Sequence, residues 1–181
     1  INISHPNIAK RNGLGYVPLD RKEEGVATVM SVAQNITSSN IEQLGNSFIL
    51  NRNIENEHAT KWFNELDIKA PGLSTIVNSL SGGNQQKVVV AKWLEKNSKI
   101  LLMNEPTRGI DVGAKFQIYT LISELAKAGK CIVISSSEVE EIVGTCNRVI
   151  VMKDGKIAEE LNGPEINNET IVRSMSAGKV N

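Results

Sequence analysis

Apolar positions along the chain fall into short compact runs and into longer runs at helical spacing. Leu14 to Val17 reads as a short strand stopped by Pro18, and a charged turn, Asp20 to Gly25, follows it. Residues 26–54 are rich in Asn and Ser and suggest no single element. Across 55–66, Ala59, Trp62, Phe63 and Leu66 share one helical face, and Pro71-Gly72 breaks the chain beyond it. The run 84–96 carries a conflict. Val88-Val89-Val90 has strand propensity, yet Val89 with Trp93 and Lys96, and Val90 with Leu94, sit at helical spacing; the length of the run favours a helix. Residues 99–103, KILLM, suit a strand buried on both faces. Asp111 is placed to cap a helix over 112–128 that Gly129 ends, with Val112, Phe116, Tyr119, Ile122 and Leu125 or Ala126 facing inward. Residues 131–135, CIVIS, read as a second buried strand, and a short helix is expected near 138–144. Arg148 to Met152 and Ile157 to Leu161 flank Lys153-Asp154-Gly155-Lys156, the pattern of a tight hairpin.

Strand, helix, strand, helix, strand predicts an α/β protein with a parallel sheet. The segment 25–97 then reads as a mostly helical insertion beside that sheet, and the tail from about 163 as a short helix. Lys plus Arg and Asp plus Glu are 20 each, and aromatics are 4%, so neither charge nor stacking argues for nucleic acid as partner. Cys131 and Cys146 are scattered and lack metal spacing; they read as ordinary buried or half-buried thiols in a reducing compartment. His5 and His58 have no ligand partners at metal spacing and read as surface residues. No apolar stretch is long enough to span a bilayer, and the chain opens on Ile1 and not Met, as a fragment, an engineered piece or a processed product would.

Three runs carry candidate chemistry. Leu80-Ser81-Gly82-Gly83-Asn84-Gln85-Gln86-Lys87 places glycines at the start of a helix, whose free amides and dipole favour an anion. The same run is also satisfied by Ser81 as a plain helix cap after a glycine turn. Ile100 to Met103 ends in Asn104-Glu105-Pro106, a polar pair at the carboxyl end of a strand, where ligands of open α/β sheets lie. A solvated strand end before a Pro-Thr turn is the simpler alternative. In Thr107 to Lys115, Asp111 alone is explained by helix capping.

Taken together and in this order, the runs resemble the ATP-binding cassette (ABC) ATPases. Leu80 to Gln86 looks like the signature motif, Ile100 to Glu105 like Walker B, and Gly109-Ile110-Asp111 like the D-loop. NQQK after the signature and PTRGIDVGAK after Walker B look like the second cassette of bacterial monosaccharide importers. Tyr16-Val17-Pro18 with Asp20-Arg21-Lys22 is similar to the run those proteins carry at the Q-loop, where Leu19 falls. Ser135-Ser136-Ser137-Glu138 is similar to their switch segment, with Ser137 at the switch position.

The resemblance implies an incomplete P-loop NTPase core of RecA type. It divides as 1–24, core strand and Q-loop; 25–97, helical subdomain with the signature; 98–162, core with Walker B, D-loop and switch; and 163–181, tail. It implies ATP and Mg²⁺ as cofactors in the whole protein, Glu105 as general base, and Ser81, Gly82, Gly83 and Gln85 as contacts to a nucleotide held by a partner cassette. The implied partners are transmembrane permease subunits, the first cassette of the same polypeptide or a second copy, and, indirectly, a periplasmic or lipid-anchored sugar-binding protein. The implied location is the cytoplasmic face of the membrane, and no residue is assigned as a metal ligand.

Departures sharpen this picture. No G-x-x-x-x-G-K-[ST] run occurs, and Gly129-Lys130, Gly155-Lys156 and Gly178-Lys179 lack both the earlier glycine and the following Ser or Thr. Asn104 stands where Walker B ordinarily has Asp, and Leu19 cannot ligate a metal. An intact signature beside Asn104 and Leu19 suggests an asymmetric pair in which the partner's site hydrolyses and this one is weak or idle. A non-hydrolysing cassette used as a binding or regulatory module and a nucleoside importer remain open alternatives. A soluble cassette of DNA repair would require long coiled coils before the signature, and no sustained heptads occur.

Overall fold

The apolar runs assemble into a parallel sheet with one packed face and one open face. The computed structural model describes residues 2–46 and 49–176, and its contacts gather into two compact units, Ile1–Ser135 and Ser136–Asn181. In the first, α1 (Pro6–Arg11), β1 (Leu14–Val17) and a π-helical turn (Arg21–Gly25) precede α2 (Val32–Thr37). Two short strands, β2 (Gly45–Asn46) and β3 (Ile49–Leu50), pair antiparallel before α3 (Arg52–Glu65) and α4 (Gly82–Glu95). The unit closes with β4 (Ile100–Asn104), α5 (Val112–Lys127) and β5 (Cys131–Ser135).

β1, β4 and β5 form a parallel sheet in the order β1-β4-β5. Its register explains the two faces. Val17, Met103 and Ile134 lie in one cross-strand row, and Gly15, Leu101 and Ile132 in another, and both rows turn toward the core. The alternate row, Tyr16, Leu102 and Val133, faces the other way and is left largely open, with Tyr16 44% and Val133 53% exposed. The expectation of strands buried on both faces is therefore corrected: among the described residues only one face is packed. Cys131 sits in the open rows and is exposed, which corrects its reading as a packed thiol.

The conflict in 84–96 resolves as helix. Val88, Val89, Val90 and Ala91 are all buried, so the β-branched run is apolar because α4 lies inside the unit, not because it is a strand. In α5 the buried positions are Ile118, Leu121, Ile122 and Leu125. Val112 and Phe116, expected to face inward, are 84% and 73% exposed. The inward stripe is instead rotated to Ala114, Ile118, Leu121, Ile122 and Leu125, because Ala114 packs on Gly83 and so turns Val112 and Phe116 outward.

The segment 26–54, silent in the sequence, is organised by buried polar side chains. Asn35 accepts from the Ala27 amide at 2.7 Å and donates to the Ala27 and Ser31 carbonyls at 3.0 Å each, stapling the loop onto α2. Ser31 and Gln34 close a capping box at its start. At the far end of α4, the largely buried Glu95 carboxylate accepts from Trp62 Nε1 and from His58 Nδ1, each at 2.7 Å, and from Asn40 Nδ2 at 3.2 Å. His58 is thus half-buried in an ion-pairing position, a correction to its reading as a free surface residue.

In the second unit, α6 (Val139–Thr145) leads to β6 (Arg148–Lys153) and β7 (Lys156–Asn162), which pair antiparallel through the predicted hairpin. Asp154 and Gly155, at φ 51° and 75°, supply the turn. α7 (Asn168–Ser176) packs Ile171 with Val149, Val151 and Leu161, and the end of the expected tail, 177–181, lies outside the described residues. Cys146 packs against this cluster; burial and the neighbouring Glu141 push its thiol pKa up.

Replacing Glu95 by Ala strands the Trp62 and His58 donors. We expect a loss of about 2–4 kcal/mol in urea unfolding followed by Trp62 and Trp93 fluorescence, whereas a loss below about 0.5 kcal/mol would show that these bonds exchange freely with water.

Candidate functional site

The carboxyl ends of the parallel strands converge on the turn after β4. Glu105 has φ 48°, a left-handed backbone that costs a side-chain-bearing residue about 1 kcal/mol, and its amide donates to Ser135 O at 2.7 Å. Strain of this kind persists where neighbouring structure over-determines it, and it clusters at functional sites. Asn104 and Glu105 are both half-buried. The chain then turns through Thr107 and Ile110, both buried, with Arg108 N donating to Glu105 O at 3.0 Å and Ile110 N to Thr107 O at 3.3 Å. Asp111 accepts from Ala114 N at 2.9 Å and so caps α5.

α4 begins against this turn. Ser81 occupies the N-cap position, but its hydroxyl makes no capping bond; it accepts from Asn84 Nδ2 at 2.9 Å. Asn84 is itself oriented by the Lys69 amide, which donates to Oδ1 at 2.7 Å. With Asn84 supplying a proton to Ser81 Oγ, the Ser81 O–H is left to donate away from its own helix. The first amides of α4 have no intrahelical acceptor, so the helix start offers several donors together.

The glycines here serve the chain's own packing. A Cβ on Gly83 would lie 2.8 Å from the Cβ of Ala114, and one on Gly82 would lie 3.0 Å from Gly109 O and 2.6 Å from Arg21 Nη2. They let α4 start in contact with the 107–111 turn and α5. Gln85, which the resemblance implies as a nucleotide contact, has its side chain inside the unit: it is 1% exposed, donates to Val77 O at 3.2 Å and accepts from Arg21 Nε at 3.4 Å.

Arg21 was given no role from the sequence beyond its place in the Asp20-Arg21-Lys22 run. The structure puts its guanidinium on the 107–111 turn, with Nη1 donating to Arg108 O at 2.7 Å and Nη2 to Gly109 O at 3.1 Å. Burial lowers its pKa and Asp20 opposes that shift, but an arginine stays charged throughout. Leu19 is exposed beyond β1 and offers no ligating atom. Ser137 lies in the second unit, exposed, in the loop before α6.

Among the described residues no group of three or more His, Cys, Asp or Glu could hold a metal ion. Asn104 with Glu105 gives one amide and one carboxylate, a poor anionic shell for a resident Mg²⁺. The start of α4 suits an anion presented from outside, and no Gly-rich phosphate cradle occurs in the chain to complete a site around it.

Residues 5–108 match the profile of the ABC transporter family. A xylose import ATP-binding protein of Thermoanaerobacter pseudethanolicus is 45% identical over 99% of this chain, and an L-arabinose transport ATP-binding protein of Geobacillus stearothermophilus is 43% identical over 97%. The chain spans 35% and 34% of the length of these curated relatives. Among solved structures, an ATP-binding cassette of an ABC transporter aligns with TM-score 0.77 at 20% identity, covering 94% of this chain and 71% of that one. A cassette dimer in a post-hydrolysis state with ADP and Pi aligns with TM-score 0.70 at 21% identity, covering 89% of this chain and 68% of that one. The fold is that of an ABC cassette, α/β with a parallel sheet.

The contact of Gly83 with Ala114 yields a double-mutant test. Gly83→Ala should cost about 1–3 kcal/mol by overpacking, and Ala114→Gly, itself unfavourable in a helix, should recover part of that loss in the double mutant. Additive losses in urea melts would show that α4 and α5 separate without penalty.

Proposed function

Because this chain belongs to the ABC transporter family, we propose that it acts in ATP binding and hydrolysis that energises sugar import, as one cassette of a pair. The observation that carries the reading is the start of α4, where the Ser81 hydroxyl makes no capping bond, accepts only from Asn84 Nδ2 and so keeps its O–H as a donor beside free amides. Such a surface suits the γ-phosphate of a nucleotide brought by another cassette. The names of the relatives, import proteins for xylose and arabinose, favour a sugar as cargo.

In this reading Ser81, Gly82 and Gly83 face ATP held elsewhere, and Glu105 is positioned to orient or deprotonate an attacking water in the chain's own site. The D-loop residue Asp111 acts by capping α5 and thereby holding the 107–111 turn. Asn104 and Leu19 leave the chain's own site poor in metal ligands, which favours an asymmetric pair with the partner's site as the hydrolytic one. Mg²⁺ is then recruited chiefly by that partner site and by the nucleotide it carries. The open row Tyr16, Leu102 and Val133 offers an apolar surface for the layer that supplies the phosphate loop.

No helix among the described residues is long and apolar enough to cross a membrane. Contact with transmembrane permease subunits is assigned to the helical segment 25–97. There Val29, Met30 and Ile76 are exposed on segments joined by the Ser31–Ile76 bridge and by Val77 N donating to Met30 O at 3.0 Å. Exposed apolar side chains gathered in this way suit a helix of a membrane partner. Such a complex would sit at the cytoplasmic face of the membrane.

Calorimetry of this 181-residue chain with MgATP should detect no binding. Tight Mg²⁺-dependent binding would mean that the chain completes a nucleotide site by itself, against the paired reading. In the assembled ATPase, Asn104→Asp should raise ATP turnover severalfold by restoring an anionic metal partner, while Ser81→Arg should reduce turnover by about 100-fold or more through loss of a phosphate donor. Unchanged turnover in Ser81→Arg would sink the assignment of the signature to a partner's nucleotide.

A further inference from the structure

Arg21 brings together segments that are far apart in the chain. Its Nη1 and Nη2 reach the backbone carbonyls of Arg108 and Gly109 at 2.7 and 3.1 Å, and its Nε reaches Gln85 Oε1 at 3.4 Å. Gln85 cannot yield easily, because its other amide atom is committed to Val77 O at 3.2 Å inside the unit. The guanidinium also fills the space beside Gly82, where a Cβ would come within 2.6 Å of Nη2. One planar cation therefore touches the turn after β4, the first turn of α4 and its own turn after β1.

The neighbouring charges fit this role. Asp20, the adjacent carboxylate, accepts from the Lys22 and Glu23 amides at 2.9 and 3.1 Å, capping the π-helical turn. Arg21 is thus left to backbone carbonyls, which a rigid fork engages in a fixed geometry. A lysine carries the same charge but cannot span two carbonyls and a side-chain amide at once. On the far side of that turn, Lys92 of α4 donates to Gly25 O at 2.5 Å, so α4 grips both ends of it.

We infer that Arg21 is a positioning residue that clamps the 107–111 turn to the start of α4, so that Ser81 and the D-loop approach a partner's nucleotide as one rigid unit. This rests on the proposed function for its catalytic consequence, but the clamp itself is a property of the chain alone. Arg21 touches no reacting atom in this scheme. It sets the spacing between donors that do.

Amide exchange of the chain, read by mass spectrometry, tests the clamp without ATP. In Arg21→Met, the bonded amides of Gln85, Arg108 and Ile110 should exchange about tenfold faster or more, while β4 and the buried part of α5 keep their protection. Gly82→Ala, which pushes a methyl into the guanidinium's space, should loosen the same segments and serves if Arg21→Met does not fold. In the assembled ATPase, Arg21→Met should lower kcat about tenfold or more at a Tm within about 2 °C of the parent, and Arg21→Lys should not restore it. Unchanged exchange would overturn the clamp. Uniform acceleration through β4 and α5 would make Arg21 an ordinary stabilising residue and overturn it equally, as would local loosening with unaltered kcat. Should the assembly with Arg21 intact hydrolyse no ATP, the functional reading fails, and the exchange pattern still decides the clamp.

Discussion

Helix α4 is buried along its length, and both of its ends therefore need partners within the unit. Val88, Val89, Val90 and Ala91 leave it no polar face in its middle, so it does not behave as a surface helix. Burial of that kind is tolerable only if the polar side chains near each end are hydrogen-bonded, while the first backbone amides stay open to a ligand. At the C-terminal end Glu95 collects Trp62, His58 and Asn40, and Lys92 reaches Gly25 O despite the burial that lowers its pKa. At the N-terminal end Gln85 holds Arg21, and Asn84 links Ser81 to the Lys69 amide. The loops 25–31 and 66–80, which have little regular structure, owe their course to these attachments and to Asn35.

The same constraint shapes the candidate site. Because α4 starts within packing distance of Gly109 and Ala114, positions 82 and 83 have no room for side chains. The turn after β4 is in turn fixed by the left-handed Glu105, by its bond to Ser135 O and by the Asp111 cap. Donors at the start of α4 and the carboxylate at the end of β4 are thus parts of one connected framework, although in the proposed pair they serve different nucleotides. Under the proposed pairing, that separation gives a physical sense to Asn104 and Leu19, which offer a metal ion little while leaving the start of α4 unaltered.

Much of the framework was legible along the chain. Strand β1 ending at Pro18, the helix over 82–95, the Asp111 cap and the Asp154-Gly155 hairpin follow from local sterics and hydrogen bonding, which act between near neighbours. The motif residues were legible for the same reason, being contiguous. What could not be read locally was which face each element would bury. Helical spacing alone allows Val112 and Phe116 to face inward where Ala114 and Ile118 do, and the burial of Gln85 rests on Val77 and Arg21, 8 and 64 positions away. His58 gave no sign of Glu95, which lies 37 positions away.

From its order of residues alone, this protein has its element types outside residues 26–54, its parallel α/β class and its resemblance to the ABC cassettes, since spacing and turn chemistry are properties of the covalent chain. Tertiary structure decided the rest. It assigned Gly82 and Gly83 to close helix–turn contact and freed the Ser81 hydroxyl from capping. It also made Arg21 a bridge across 87 and 88 positions of sequence. A side chain's hydrogen-bond partners depend on which segments the folded core brings within about 3 Å, and no local pattern encodes that distance.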